Sequence, residues 1–363
     1  DLVRSRGLGD VYKRQVYEIT DENEIKLLHF SNLPFDENDI NSCEGTASFR
    51  PVEVLLSGLN RPGERHGTKY TYTAPGYRLK YKDMKDYRNE TGRKLEILME
   101  DKPTGLEVCS NIQFYDGISV IRSWTELKNN GEEDLGVEYV SSFALLGIDK
   151  EGLLSTDEKL EVLIARNAWQ KELIWNRFSM DQLGMSISQP DKVRRSSQTI
   201  SVGNTGNWST KNYLPMGCLK NKETDSILFW QIEQNGSWYW EISDQDGHMY
   251  LQLSGPTEHQ SHWWKNLKPG DTFASVPVSV GSACGDVEEA AGELTKYRRA
   301  IRRKNKDNEK LPVIFNDYMN CLWGDPTTEK ELPLIDKAKE AGCEYFCVDC
   351  GWYSAGFWWD GVG

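Results

Sequence analysis

Residues 312–319, PVIFNDYM, and residues 344–349, EYFCVD, are two apolar runs that each end in polar residues, with a helical segment between them. Thr328, with Glu331 three residues on, has the spacing that opens a helix. The pattern runs through Ala341, and Gly342 stands where a helix is usually ended. Strand, helix and strand in that order make a βαβ unit, whose strands lie parallel with a right-handed crossover. In parallel α/β folds, and in β/α barrels above all, functional side chains project from the C-terminal ends of the strands. Those ends are Asn316-Asp317-Tyr318 and Asp349-Cys350-Gly351-Trp352. Chemistry is expected there.

Upstream of this unit the period is different. Val287, Ala290, Ala291, Leu294, Tyr297, Ala300 and Ile301 fall at helical spacing, Asp286 and Glu289 have capping-box-like spacing, and Arg and Lys gather at the end. A helix is predicted here, followed by a polar connector, KNKDNEK, at 304–310. From about 16 to 282 the chain alternates short apolar strands with turn dipeptides. Leu95, Ile97 and Met99 alternate with Lys94, Glu96 and Glu100, the period of a half-buried strand. Asp116-Gly117, Asn130-Gly131, Asn235-Gly236 and Asp246-Gly247 suit tight hairpins. The last two bracket SWYWEISDQ, so residues 226–253 read as a three-stranded meander. The length of this β-region suits a large two-sheet sandwich.

The composition narrows the function classes. The 363 residues carry 43 Lys+Arg against 56 Asp+Glu, a net charge of −13, which disfavours gripping nucleic-acid phosphates or anionic membrane surfaces. No stretch approaches about 18 consecutive apolar residues, so no membrane span is expected. The aromatic excess, with 13 Trp and 16 Tyr, suits sugar faces, although a large β-domain also consumes such rings in its core. Eight cysteines, mostly far apart, read as reduced thiols of a cytoplasmic protein. Cys343, Cys347 and Cys350 have the C-x3-C-x2-C spacing of a radical iron–sulfur loop. They fall on a helix end and a strand rather than a flexible loop, and Cys347 and Cys350 have opposite strand parity, so ordinary buried thiols are the reading. Histidines 29, 66, 248, 259 and 262 show no metal-ligand spacing; neither a metal nor a cofactor is expected.

Asp349 ends an apolar strand, where a carboxylate has no packing purpose. A helix cap or an ion pair is one reading, and a sugar-gripping carboxylate beside Trp352 is the other. Trp323, Trp358 and Trp359 lie in loops on the same rim, where a core role is harder to argue.

The segment VIFNDYMNCLWGD…CEYFCVDCGWY resembles the start of the catalytic barrel of the glycoside hydrolase family 36 α-galactosidases. Their first barrel strand ends in an Asn-x-Trp-Glu-like motif and their second in Asp-Asp-Gly-Trp. GLEV at 105–108, SGPTEHQSHWWKNLKPGDTF at 254–273 and the Arg-rich helix after them are similar to the family's sandwich and linker, in order and spacing. The resemblance covers about 16–363. It implies a multidomain β then α/β protein: a β-sandwich at 16–283, a linker helix and connector at 284–311, and the truncated start of a (β/α)8 barrel at 312–363.

The resemblance also implies a retaining hydrolase of terminal α-linked galactose, acting on oligosaccharides or galactosides through two carboxylates and a covalent intermediate. The nucleophile and the acid/base are expected beyond Gly363, so this chain alone is expected to be inactive. What carries over is a substrate-binding rim of Asp349, Trp352, Tyr318, Asp317 and Trp323. Asp349 matches the carboxylate that hydrogen-bonds galactose hydroxyls. Cys350 replaces the second Asp and Met319 the first motif's Glu, which puts the sugar preference in question. The intact enzyme is expected to be a homo-oligomer. Two other readings remain: galactosyl transfer of the raffinose-synthase type, and a carbohydrate-binding sandwich without catalysis, against which the βαβ unit argues. Residues 1–15, DLVRSRGLGDVYKRQ, contain a run resembling a translated sequencing adapter. They are basic where the remainder of the chain is acidic, and they are expected to pack loosely through Leu8, Val11 and Tyr12.

Overall fold

The structure, a computed structural model, describes residues 14–35, 49–59, 69–185, 198–356 and 358–361. Leu8, Val11, Tyr12 and His66 lie outside the described residues, whereas Arg14 and Gln15 already belong to a strand, Arg14–Ile19, paired antiparallel with Ile25–Ser31. The chain divides into two compact units, one ending at Ala300 and one beginning at Ile301.

The first unit is a β-sandwich, as its alternating sequence predicts. Its ten-stranded sheet runs, edge to edge, through Ile174–Ser179, Leu160–Arg166, Tyr213–Asn221, Ser226–Ile232, Val278–Cys284, Val120–Asn129, Leu106–Phe114, Gly92–Asp101 and Lys80–Asn89, with Thr272–Ala274 also pairing Val120–Asn129. The six-stranded sheet runs through Ile200–Asn204, Trp238–Gln245, His248–Ser254, Leu135–Leu146 and Lys265–Leu267, with Val54–Leu56 on Leu135–Leu146. Alternation places Leu95, Ile97 and Met99 in the core, where they share one cluster with Val137, Trp240 and Leu251 of the other sheet. Trp230 from the larger sheet meets Trp240 from the smaller edge to face, ring centroids 5.2 Å apart, and so ties the two sheets together.

The expected three-stranded meander is divided between the sheets. Both edges of Ser226–Ile232 are taken, by Tyr213–Asn221 and Val278–Cys284. The chain therefore crosses to the other sheet at 233–237 instead of turning back. Only the second turn is a tight hairpin: Asp246 and Gly247 have φ of 51° and 79°, as that turn requires.

The predicted helix is Val287–Ile301. The Asp286 N–H donates to Glu289 Oε2 at 2.9 Å as the capping spacing suggests, while the Asp286 carboxylate pairs with Arg177. The helix is not a free linker. Ala290, Leu294 and Tyr297 are buried, Glu293 accepts the Ser119 N–H at 2.8 Å, and the Tyr297 hydroxyl donates to Glu233. The boundary expected at 283 accordingly falls at Ala300, because this apolar stripe packs on the sandwich. The expected polar connector contains a short helix, Lys306–Lys310, whose cap residue Asn305 accepts the Asn308 N–H at 2.8 Å.

The second unit is the predicted βαβ element. Ile314–Asn316 and Tyr345–Cys347 pair in parallel, in the register Ile314↔Tyr345, Phe315↔Phe346 and Asn316↔Cys347. Helix Thr328–Glu340 joins them, and Gly342 beyond it has φ of 86°. One detail differs from the sequence reading. Thr327 is the cap, and Glu331 lies one turn in with neither carboxyl oxygen bonded to a backbone N–H.

Candidate functional site

The register of the two parallel strands places Asn316 opposite Cys347, so the residues after each strand emerge side by side. Asn316 Nδ2 donates to Asp349 Oδ2 at 2.7 Å, and Asn316 Oδ1 accepts the Tyr318 N–H at 2.9 Å. One amide side chain thus fixes the loops after both strands. The Asp349 N–H in turn donates to Asp317 Oδ1 at 2.8 Å. Asp349 is exposed, and its carboxyl is held below the usual range by the hydrogen bond from Asn316 and then by that from Cys350. It is a fixed, ionised acceptor with lone pairs to spare, which suits a sugar hydroxyl.

Cys350 follows Asp349 directly and bonds to its carboxylate. Its thiol acts as a donor, with Sγ 2.9 Å from Asp349 Oδ1, and that bond together with burial pushes it up to about 11. Trp352 is 67 % exposed and hangs from the same residue, its Nε1 donating to the Asp349 carbonyl at 3.2 Å. Gly351, at φ of 92°, separates the two because a Cβ there would run into the carbonyl oxygen of Gly324. The loops after the two strands are therefore pressed together at a pair of glycines.

Tyr318 anchors the aromatic side of the rim. Its ring meets Trp323 and Trp358 edge-on, each at 5.6 Å between centroids, and Trp323 is exposed. Asp349, Trp352, Tyr318 and Trp323 are thus gathered around the two strand ends. Asp317 occupies a different place: it is 1 % exposed and faces inward, holding the Asp349 backbone. Sequence reading did not single out Asn316 as a site residue, although its position beside Asp317 at the strand end was a usable signal. Glu331, whose spacing from Thr328 looks like a cap, is instead buried, with neither carboxyl oxygen hydrogen-bonded. Among the described residues no group of three or more His, Cys, Asp or Glu is placed to hold a metal ion.

No protein-family model matches the chain. Among curated proteins, α-galactosidase Mel36A of Lactobacillus acidophilus is 23 % identical over 273 residues, covering 73 % of this chain and 33 % of that protein. α-Galactosidase 1 of Pediococcus pentosaceus is 26 % identical over 113 residues, covering 30 % of this chain and 15 % of that protein. The crystal structure of GH36 α-galactosidase AgaA from Geobacillus stearothermophilus superposes with a TM-score of 0.72 at 16 % identity, covering 94 % of this chain and 49 % of that one. This chain has the fold of the N-terminal part of the GH36 α-galactosidases. It spans a third of the length of the curated Mel36A and about half the length of the solved GH36 enzyme. A variant of AgaA has been solved with raffinose bound.

Proposed function

We propose that the protein to which this chain belongs is a retaining α-galactosidase, and that the rim described above grips the terminal galactose of its substrate. One observation carries the reading. An ionised Asp349 stands at the C-terminal end of the second parallel strand, locked by Asn316, with an exposed indole hung from its own carbonyl. A carboxylate takes sugar hydroxyls as charge-assisted donors, while an indole covers the apolar face of the ring. The raffinose-bound GH36 structure supports oligosaccharides ending in α-linked galactose as the substrate class. The carboxylates that break the bond, about 5 Å apart in a retaining enzyme, are supplied by parts of the protein outside these 363 residues. The resemblance further supports a homo-oligomer, and the reading of the cysteines as reduced thiols supports a cytoplasmic enzyme.

In the full-length protein, Asp349→Asn should lower kcat/KM by about 10- to 200-fold, since each lost charge-assisted bond costs roughly 1.5–3 kcal/mol and about 1.4 kcal/mol is tenfold. Kinetics within about twofold of wild type would remove Asp349 from the substrate contacts. The 363-residue chain alone should not turn over an aryl α-galactoside; turnover above background in protein free of host enzyme would overturn the assignment of the catalytic carboxylates.

A further inference from the structure

A cavity of about 270 Å³ opens on the smaller sheet of the sandwich, lined by Gly203, Asn204, Lys211, Asn212, Tyr239 and Gln260 among others. Its floor follows from the strand register. Gly203 stands directly opposite Tyr239 in the ladder, and a Cβ at 203 would lie 3.3 Å from the Tyr239 ring. The missing side chain leaves room over that ring. The Tyr239 hydroxyl donates to the buried Glu241 at 2.8 Å, which fixes the ring without using its face. Gln260 comes from the short helix Glu258–Ser261. Its Oε1 accepts the hydroxyls of Tyr70, at 2.8 Å, and of Thr257, so the amide orientation is set and Nε2 is left as a donor. Asn204 Nδ2 donates to the Thr205 carbonyl at 3.3 Å, leaving its Oδ1 as an acceptor. Among the described residues, Gln260 Nε2, Lys211 Nζ and the Asn212 amide have no partner. The loop that carries Lys211 and Asn212 is nonetheless held firmly. Trp238 Nε1 donates to the Ser209 carbonyl at 2.7 Å, Asn167 Nδ2 to the Thr210 carbonyl at 2.6 Å, and the Asn167 N–H to the Asn212 carbonyl at 2.9 Å. A fixed backbone with uncommitted polar side chains is the arrangement of a preorganised binding surface.

The lining defines the chemistry of the ligand. Among the described residues no carboxylate lines the cavity, so it suits neither a hard metal ion nor an ammonium group. No large aliphatic side chain lines it either, which excludes a lipid chain. Lys211 is its single charge, exposed to solvent on a chain of net charge −13, and this disfavours a multiply charged anion. What fits is a neutral ligand that presents hydroxyl donors and acceptors around a ring with an apolar face. That is a sugar. The cavity is smaller than the roughly 300–1,000 Å³ of sites for drug-sized molecules, which suits a single ring. We propose that this cavity is an additional, non-catalytic saccharide site, in which one neutral pyranose lies against Tyr239 and is held by Lys211, Gln260, Asn204 and Asn212. It shares no residue with the Asp349 rim and does not rest on the reading of Asp349 as a substrate ligand.

The test titrates the 363-residue chain carrying Asp349→Asn with raffinose and with maltose, followed by saturation-transfer NMR of the sugar. The substitution removes the acceptor of the rim, so binding that persists belongs elsewhere. Saturable binding of at least one of the two sugars in the millimolar range is expected. Adding Lys211→Ala, the loss of an exposed side chain with no partner among the described residues, should weaken it by about tenfold, the worth of one hydrogen bond to a charged group. Gln260→Ala should do likewise, and where that variant fails to fold, Lys211→Ala decides. Absence of saturable binding of either sugar, or an affinity within about twofold after Lys211→Ala, would overturn the proposal. Binding of inorganic phosphate in place of both sugars would mark an anion site and overturn it equally. The kcat/KM of full-length Asp349→Asn bears on the rim alone, so the two readings fail separately.

Discussion

The two units bury their apolar residues very differently. In the sandwich, Trp230, Trp240, Ile97 and Leu251 are all sealed from solvent, and both sheets contribute to one core. In the βαβ unit, Val313, Ile314, Tyr345 and Val348 on and around the strands and Leu332 and Ile335 on the helix are exposed, and the buried helix residues are Glu331 and Ala338. Parallel strands are normally covered on both faces, so this unit has the composition of an interior without the neighbours that would enclose it. That agrees with a chain spanning about half of the solved enzyme it matches. Stability therefore resides in the sandwich, whereas the candidate site is held by a local network of polar bonds and tight loops.

The sharpest test of this division is Trp240→Ala. Removing a sealed aromatic that bridges the sheets should cost about 3–5 kcal/mol, read as a large drop in the urea midpoint of the chain. A loss below about 1 kcal/mol would show that the sheets do not depend on that contact. Next in size is a pH effect. Glu53 is buried, accepts the N–H groups of Tyr72 and Thr73, and is pushed by burial up to about 7. A carboxyl whose folded-state value is raised binds its proton more tightly when folded. Its contribution is therefore fully present below the ordinary glutamate range and is lost as pH rises through about 7. The sandwich should lose up to about 3 kcal/mol between pH 5 and 8 through this group, and Glu53→Gln should flatten the profile. A pH slope unchanged in the variant would assign the effect elsewhere.

In the βαβ unit, Gly351→Ala should cost on the order of 1–3 kcal/mol, because its φ and the Gly324 carbonyl both oppose a Cβ. Faster hydrogen exchange of the Asp349 amide would report it, and unchanged exchange would show that the glycine contact does not set the rim. The smallest effect is expected from Leu332→Ala. An exposed helix residue in this chain should contribute less than about 0.5 kcal/mol. In the full-length protein, where a barrel would cover that face, the same change should cost several times more. Equally small effects in both would show that nothing encloses the helix in the intact protein.

The strands and the βαβ unit were readable because alternation and helical spacing are local. Leu95, Ile97 and Met99 gave away their buried face, and the change of period near 285 marked the long helix. The assignment of strands to sheets was not readable. Ser226–Ile232 pairs with residues about 50 positions further on, and nothing within 226–253 shows that its edges are already filled. At the site, Asp349 and Trp352 stood out because a carboxylate and an indole after an apolar strand have no packing reason to be there. Glu331 did not stand out, since at the start of a helix an acid has an ordinary use. Its burial depends on how the helix returns over the strands.

Cys350 stands beside the candidate sugar site, where a thiol would ordinarily be open to alkylation and oxidation. Bound to the Asp349 carboxylate and pushed up to about 11, it exposes on the order of one thiolate in ten thousand at neutral pH. Electrophiles such as iodoacetamide and peroxide react with thiolates, so Cys350 is also chemically quiet. The rim can thus carry a cysteine without becoming a redox-sensitive position, and reagents aimed at thiols would find this one slow to respond.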